Sequence, residues 1–248
     1  MTQVITGAAH GLGRALALAL IEQGRPVFAI DADGDALRTL PCDHLRIDLL
    51  DHSAARQIMQ ALKASKISRI IHCAGISGTG PFEALPAEHH AKIIALNFEA
   101  PVRLTCALLA AEAFTRDAQH VFVGSVSSFT GYPGAVSYAA SKDGLASFAG
   151  SLDKALPKGQ RASCVFPGPM ATDHAARYAP DNSPKTIAAR QAPEEAARLI
   201  LKAVDKGRRK IVPGVKAKAF AALGTFAPAL TGKLLKKSLF DQLPTPRI

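Results

Sequence analysis

Short apolar runs alternate with longer stretches of helical periodicity almost from end to end of the 248-residue chain. The pattern predicts strands at 3–6, 27–31, 44–47, 69–73, 120–125, 162–166 and 210–212. Between them it predicts helices near 12–23, 33–40, 52–64, 86–113, 137–155, 171–178 and 193–206. Strands separated by helical stretches make βαβ units, so the expected class is α/β with a doubly wound parallel sheet. The runs VFAI, RIIHC and HVFVGS lack polar alternation, as strands covered on both faces require. No repeat, low-complexity segment or linker interrupts this order before about residue 205.

Composition narrows the class. The hydrophobic content of 48% and the length suit one well-cored domain. No run of about 18 apolar residues predicts a membrane span, and MTQVITG leads straight into a strand, with no room for a signal peptide. Cys42, Cys73, Cys106 and Cys164 form no CxxC pair and have no histidine at ligand spacing, so the expectation is a reduced, cytoplasmic protein with no metal site. The net charge of +10 is unevenly placed. Residues 206–248 hold ten Lys/Arg and one Asp, which leaves 20 basic and 19 acidic residues in the rest. A near-neutral body argues against a nucleic-acid partner.

The stretch TGAAHGLG, residues 6–13, carries Gly7-x3-Gly11-x-Gly13 between the first strand and the first helix. Backbone N–H groups and the helix dipole at such a junction favour a pyrophosphate, and glycine lets the chain turn and the phosphate approach. The spacing is not GxGxxG, and glycines alone serve turns equally well. Asp31 ends the second strand 18 residues past Gly13, where a carboxylate can accept both adenosine ribose hydroxyls and repel a 2′-phosphate. The plainer alternative is a solvated or capping aspartate. Asp48, at the end of the third strand, could meet the adenine amino group. A Rossmann-type sheet of about seven strands follows from this reading.

The stretch VGSVSSFTGYPGAVSYAASK, residues 123–142, places Tyr138 and Lys142 four apart on one helix face. An ammonium beside a phenol lowers its pKa toward the range of acid–base catalysis. Ser125 closes a strand whose C-terminal end should open on the cofactor crevice. Alone, Tyr-x3-Lys is more readily an exposed helical pair.

Together, Thr6-Gly7-x3-Gly11-Leu12-Gly13, Ser125, Tyr138-x3-Lys142 and Pro167-Gly168 resemble the short-chain dehydrogenase/reductases, in their compact single-domain branch, over roughly residues 2–212. The resemblance implies an NAD(H)-dependent oxidoreductase for a secondary alcohol and its ketone. It makes Tyr138 the acid and base, Lys142 the holder of the nicotinamide ribose, and Ser125 the partner of the substrate oxygen. Asn97 would anchor a water in the proton relay. It implies cofactor contacts from Thr6, Gly7, His10, Gly11, Leu12, Gly13, Ala74, Gly75, Pro167, Gly168 and Thr172, besides Tyr138 and Lys142. It also implies a homodimer or homotetramer through the helices near 86–113 and 137–155. Two positions depart from the family pattern: Cys73 replaces the usual asparagine before Ala-Gly, and His10 stands where NADP-preferring members carry a basic residue. Asp31 outweighs His10, so NAD is expected over NADP.

These motifs assign 1–212 to a dinucleotide-binding catalytic domain and 213–248 to a basic amphipathic extension. The extension is expected to fold over its own domain with its lysines in water, membrane-surface contact being the less favoured reading. Phe220, Leu223, Phe226 and Leu230 are candidate roof residues for an apolar pocket, with a lid at 173–192. An NADP-dependent carbonyl or 3-oxoacyl reductase and a catalytically silent nucleotide sensor are the alternatives on the same fold.

Overall fold

The computed structural model describes residues 1–179, 183–238, 240–242 and 245–248. Residues 180–182 of the expected lid lie outside that set. Seven parallel strands, β1 (Thr2–Thr6), β2 (Val27–Asp31), β3 (Asp43–Arg46), β4 (Ile67–His72), β5 (Phe114–Val123), β6 (Arg161–Val165) and β7 (Lys210–Ile211), stand in the order 3-2-1-4-5-6-7. Helices α1 (Gly11–Glu22) and α9 (Pro193–Asp205) cover one face, and α2 (Gly34–Leu37) follows β2. Helices α3 (Ala54–Ala61), α5 (Ala100–Ala110) and α6 (Val136–Ala155) cover the other. Ile5, Ala29, Ile71, Val121 and Val165 face α1 and α9, while Val4, Phe28, Ile30, Ile70 and Phe122 face the opposite layer. Strands with apolar side chains on both faces are what a covered parallel sheet demands.

The helix expected over 86–113 is built in three parts. Helix α4 (Ala87–Ile94) passes through a π-helical turn, Ala95–Glu99, into α5. By length and composition the run Ala87–Ala110 could cross a membrane. It lies instead along the sheet with Ile93, Ala100, Leu104 and Leu108 buried. Strand β5 begins at Phe114, six residues before its expected start, because Ile67 pairs with Phe114 across an irregularity in the β4–β5 register. Helices α7 (Asp173–Tyr178) and α8 (Pro184–Ala189) lie in the segment expected to form a lid, and α10 (Val215–Phe226) and α11 (Pro228–Ser238) in the C-terminal extension. The chain then returns to the domain, where Arg247 and Thr79 exchange backbone hydrogen bonds of 2.8 and 3.1 Å.

Candidate active site

Strand order reverses between β1 and β4, and the crevice past their C-terminal ends is where such sheets hold ligands. TGAAHGLG leaves β1 there. Gly7 has φ +70°, and a Cβ on it would sit 2.6 Å from the Ala74 backbone; one on Gly13 would collide with the Gly7 carbonyl oxygen. The loop is therefore pressed against β4's exit on one side and its own helix on the other, with room only for glycine. His10 stands at the N-cap of α1, but its side chain makes no capping bond. Its Nε2 meets the Asp33 carboxylate at 2.8 Å instead. The first-turn amides of α1 are left without a side-chain cap, a cradle that fits a pyrophosphate.

Neighbouring side chains hold this cradle. Thr6 Oγ1 accepts from Cys73 N at 3.2 Å and Ala74 N at 3.4 Å, so a hydroxyl from β1 organises the strand exit where Cys73 replaces asparagine. Burial pushes the Cys73 thiol up to about 11. Asp31 accepts from Ala9 N at 3.0 Å through one carboxylate oxygen and from Asp33 N at 3.1 Å through the other. Each oxygen keeps a further lone pair for a ribose hydroxyl. Asp48 is exposed just past β3, at the edge of the sheet, where its carboxylate accepts from Leu50 N at 2.9 Å. Thr172 caps α7 through Ala175 N at 3.2 Å, and its methyl lies 3.2 Å from where a Gly11 Cβ would stand. The loop after β6 thus faces the glycine loop across the crevice. Pro167 accepts from Val126 N at 3.1 Å, which joins that loop to the turn after Ser125.

Ser125, Tyr138, Lys142 and Asn97 come together at the same end of the sheet. Lys142 is only 4% exposed, donates to the Val123 carbonyl at 2.8 Å and lies 5.7 Å from the Tyr138 ring centroid. Burial lowers its pKa, while Cys73 and Cys164 act in the opposite direction. The expected lowering of the Tyr138 pKa by this ammonium is not what the structure shows. Burial pushes Tyr138 up to about 12, and a hydrogen bond with Ser125 only partly offsets the rise. The ammonium donates to the strand carbonyl and lies over the Tyr138 ring, and it does not offset the cost of burying a phenolate. Asn97 is fully buried in the π-turn. It accepts from Ile76 N and donates to Ile76 O, both at 2.9 Å, and its amide also reaches Ser141 Oγ at 3.0 Å. Ser141 in turn donates to the Tyr138 carbonyl at 2.7 Å.

Sequence reasoning missed Asp33, Ser141 and the Val123 carbonyl. The Asp31-x-Asp33 spacing beside His10 was a usable signal for the first. Ser141, between Tyr138 and Lys142, had no pattern to mark it. Of the four candidate roof residues, only Phe220 turns inward, against the cluster around Phe122 and Phe166. Leu223, Phe226 and Leu230 are solvent-exposed, because α10 sits down on Ala217, Ala221 and Gly224.

Comparison with known proteins bears on the family and the fold. Residues 2–183 match the family model described as short chain dehydrogenase. A putative oxidoreductase, SadH, of Mycobacterium tuberculosis is 29% identical over 243 residues, 89% of this chain and 88% of that protein. A Burkholderia cenocepacia short chain dehydrogenase solved with NADP superposes with TM-score 0.77 at 25% identity, over 94% of this chain and 97% of that one. A Burkholderia phymatum short chain dehydrogenase/reductase solved with NAD gives 0.78 at 21%, over 90% and 92%.

Proposed function

The chain belongs to the short-chain dehydrogenase family, and on that premise we propose that it uses NAD(H) to interconvert an apolar secondary alcohol and its ketone, with Tyr138 as acid and base. As a family member it is an NAD(P)-dependent oxidoreductase; the choice of NAD, the substrate class and the residue roles are our reading. The observation that carries it is the set of buried Ser125, Lys142 and Asn97 with half-buried Tyr138 beside a glycine cradle.

The bound nicotinamide would accept or supply the hydride. Tyr138 Oη, held by Ser125, would pass a proton to the carbonyl oxygen in reduction and take it from the hydroxyl in oxidation. Ser125 Oγ would hydrogen-bond that same oxygen. Lys142 has one of its three donors on Val123, leaving two for the ribose. Asn97 keeps the Ile76 segment and α6 in register with the site. For the cofactor, Asp31 and Asp33 form an acidic pair beside the glycine loop, with His10 already engaged by Asp33. A 2′-phosphate would meet that pair unfavourably, which supports NAD. The partly buried rings of Phe129, Tyr132 and Phe220 support an apolar substrate.

The test is Tyr138→Phe, assayed by NADH absorbance across secondary alcohols and ketones. Turnover should fall by about 10²–10⁴-fold while NAD affinity stays within about threefold. Near-normal turnover of the best substrate would remove Tyr138 from its role.

A further inference from the structure

Helix α10 has two unlike faces. Its inner face is small: Ala217 lies against Gly168, and a Cβ on Gly224 would strike the Phe129 carbonyl and Thr130. The helix therefore rests on the two loops that carry Ser125 and Pro167-Gly168. Its outer face presents Val215, Ala219, Ala222 and Phe226, spaced i, i+4, i+7 and i+11, with Leu223 beside them. All five are exposed, Val215 at 82% and Phe226 at 87%. A stripe of that period normally faces a core; here it faces outward, flanked by Lys216 and Lys218. Helix α11 repeats the arrangement, with Leu230 and Leu234 exposed at 54% and 52% among Lys233, Lys236 and Lys237, while Thr231 turns inward. Throughout 206–248 the only acidic residue is Asp241.

We propose that α10 and α11 dock this enzyme on the surface of an anionic lipid bilayer. The apolar stripe would enter the acyl boundary, with the lysines at headgroup level. A second copy of the chain offers apolar surface too, but it would bring lysines against lysines with almost no carboxylate between them. An anionic bilayer supplies apolar depth and negative charge together. Docking brings lipid within about one helix diameter, ~10 Å, of the turn bearing Ser125. The matching substrate is an alcohol or ketone dissolved in lipid. That last point rests on the oxidoreductase reading; the docking itself does not.

The experiment is cosedimentation of the full chain with vesicles of phosphatidylcholine alone and of phosphatidylcholine with phosphatidylglycerol. Wild type should pellet with the anionic vesicles and be released by salt. Val215→Ser with Phe226→Ser, and separately Lys233→Gln with Lys236→Gln and Lys237→Gln, should each weaken binding by about tenfold or more. The chain has no tryptophan, so Phe226→Trp provides a single reporter. Its emission should shift blue and be quenched by brominated acyl chains on anionic vesicles. Wild type left in the supernatant, binding indifferent to lipid charge, or variants that bind as wild type would each overturn the proposal. So would self-association abolished by the Val215/Phe226 variant without vesicle binding, which would give the face to a second copy. None of these readouts needs substrate or cofactor, so failure here leaves the Tyr138 reading intact, and failure of that reading leaves this one.

Discussion

Asp31 and Tyr138 show how neighbours decide what a side chain does. Asp31 pins the glycine loop to the end of β2 through Ala9 N while keeping lone pairs for a ribose. Asp31→Ala should weaken NAD binding by about tenfold and narrow the NAD-over-NADP preference. Dissociation constants for both cofactors check this, and tighter NADP than NAD binding in the wild type would refute the assignment. The sequence offered Asp31 for a ribose but not its bond to the Ala9 amide, since that bond depends on how the loop folds back. For Tyr138 the spacing to Lys142 predicted a lowered pKa, whereas burial raises it. With the phenol pushed up to about 12, the protonated form that the proposed role requires for ketone reduction persists across neutral pH. Reduction kcat/KM should therefore stay flat from about pH 6 to 9, whereas alcohol oxidation, which needs the phenolate, should rise with pH over that range. Profiles in both directions measure this; an oxidation profile flat from pH 6 would mean a far lower phenol pKa.

At the scale of elements, the π-turn between α4 and α5 is the feature that apolar periodicity could not reveal. A single wide turn shifts the helical phase, and here it carries Asn97 to Ile76 and Ser141. The Ile76 amide and carbonyl both depend on that one side chain. Asn97→Ala should cost about 1–3 kcal/mol in urea unfolding, as two part-buried backbone groups lose their partner. It should also lower kcat more than it raises KM, because α6 carries Tyr138 and Lys142. Stability within about 0.5 kcal/mol of wild type would show that other groups hold the turn. Strand and helix identities in the sheet were legible because periodicity is a local property. Residues 214–240 read as short helix-compatible pieces broken at Pro228, as α10 and α11 are; the short helix α8 was not legible, since its one large apolar residue, Ile187, is exposed.

Over the whole molecule, burial of polar groups makes stability depend on pH. His72 is fully enclosed, stacks on Phe122 at 4.8 Å, and has a pKa lowered to about 3 from 6.5 by burial. The unfolded chain takes up the proton first, so this contribution is complete above about pH 6.5 and is lost as pH falls toward 3. The slope is about 1.4 kcal/mol per pH unit within that window. His72→Gln should flatten the wild-type decline between pH 6 and pH 4.5 by about that slope, read from urea midpoints at each pH. An unchanged slope would mean that His72 does not govern it. His120 is shifted the same way by burial.

The sequence by itself determined the βαβ order, the parallel sheet, the glycine loop and the residues gathered at its end, because each rests on short-range spacing. Tertiary structure alone decided what distant residues do to one another. Arg69 is buried on β4 because Asp205, 136 residues away at the end of α9, meets its guanidinium. Thr79 holds both the Tyr178 carbonyl and the returning segment at Arg247. Phe226 points to solvent because small residues seat α10 on the domain. Spacing along a chain specifies which face a side chain takes; only packing specifies what that face meets.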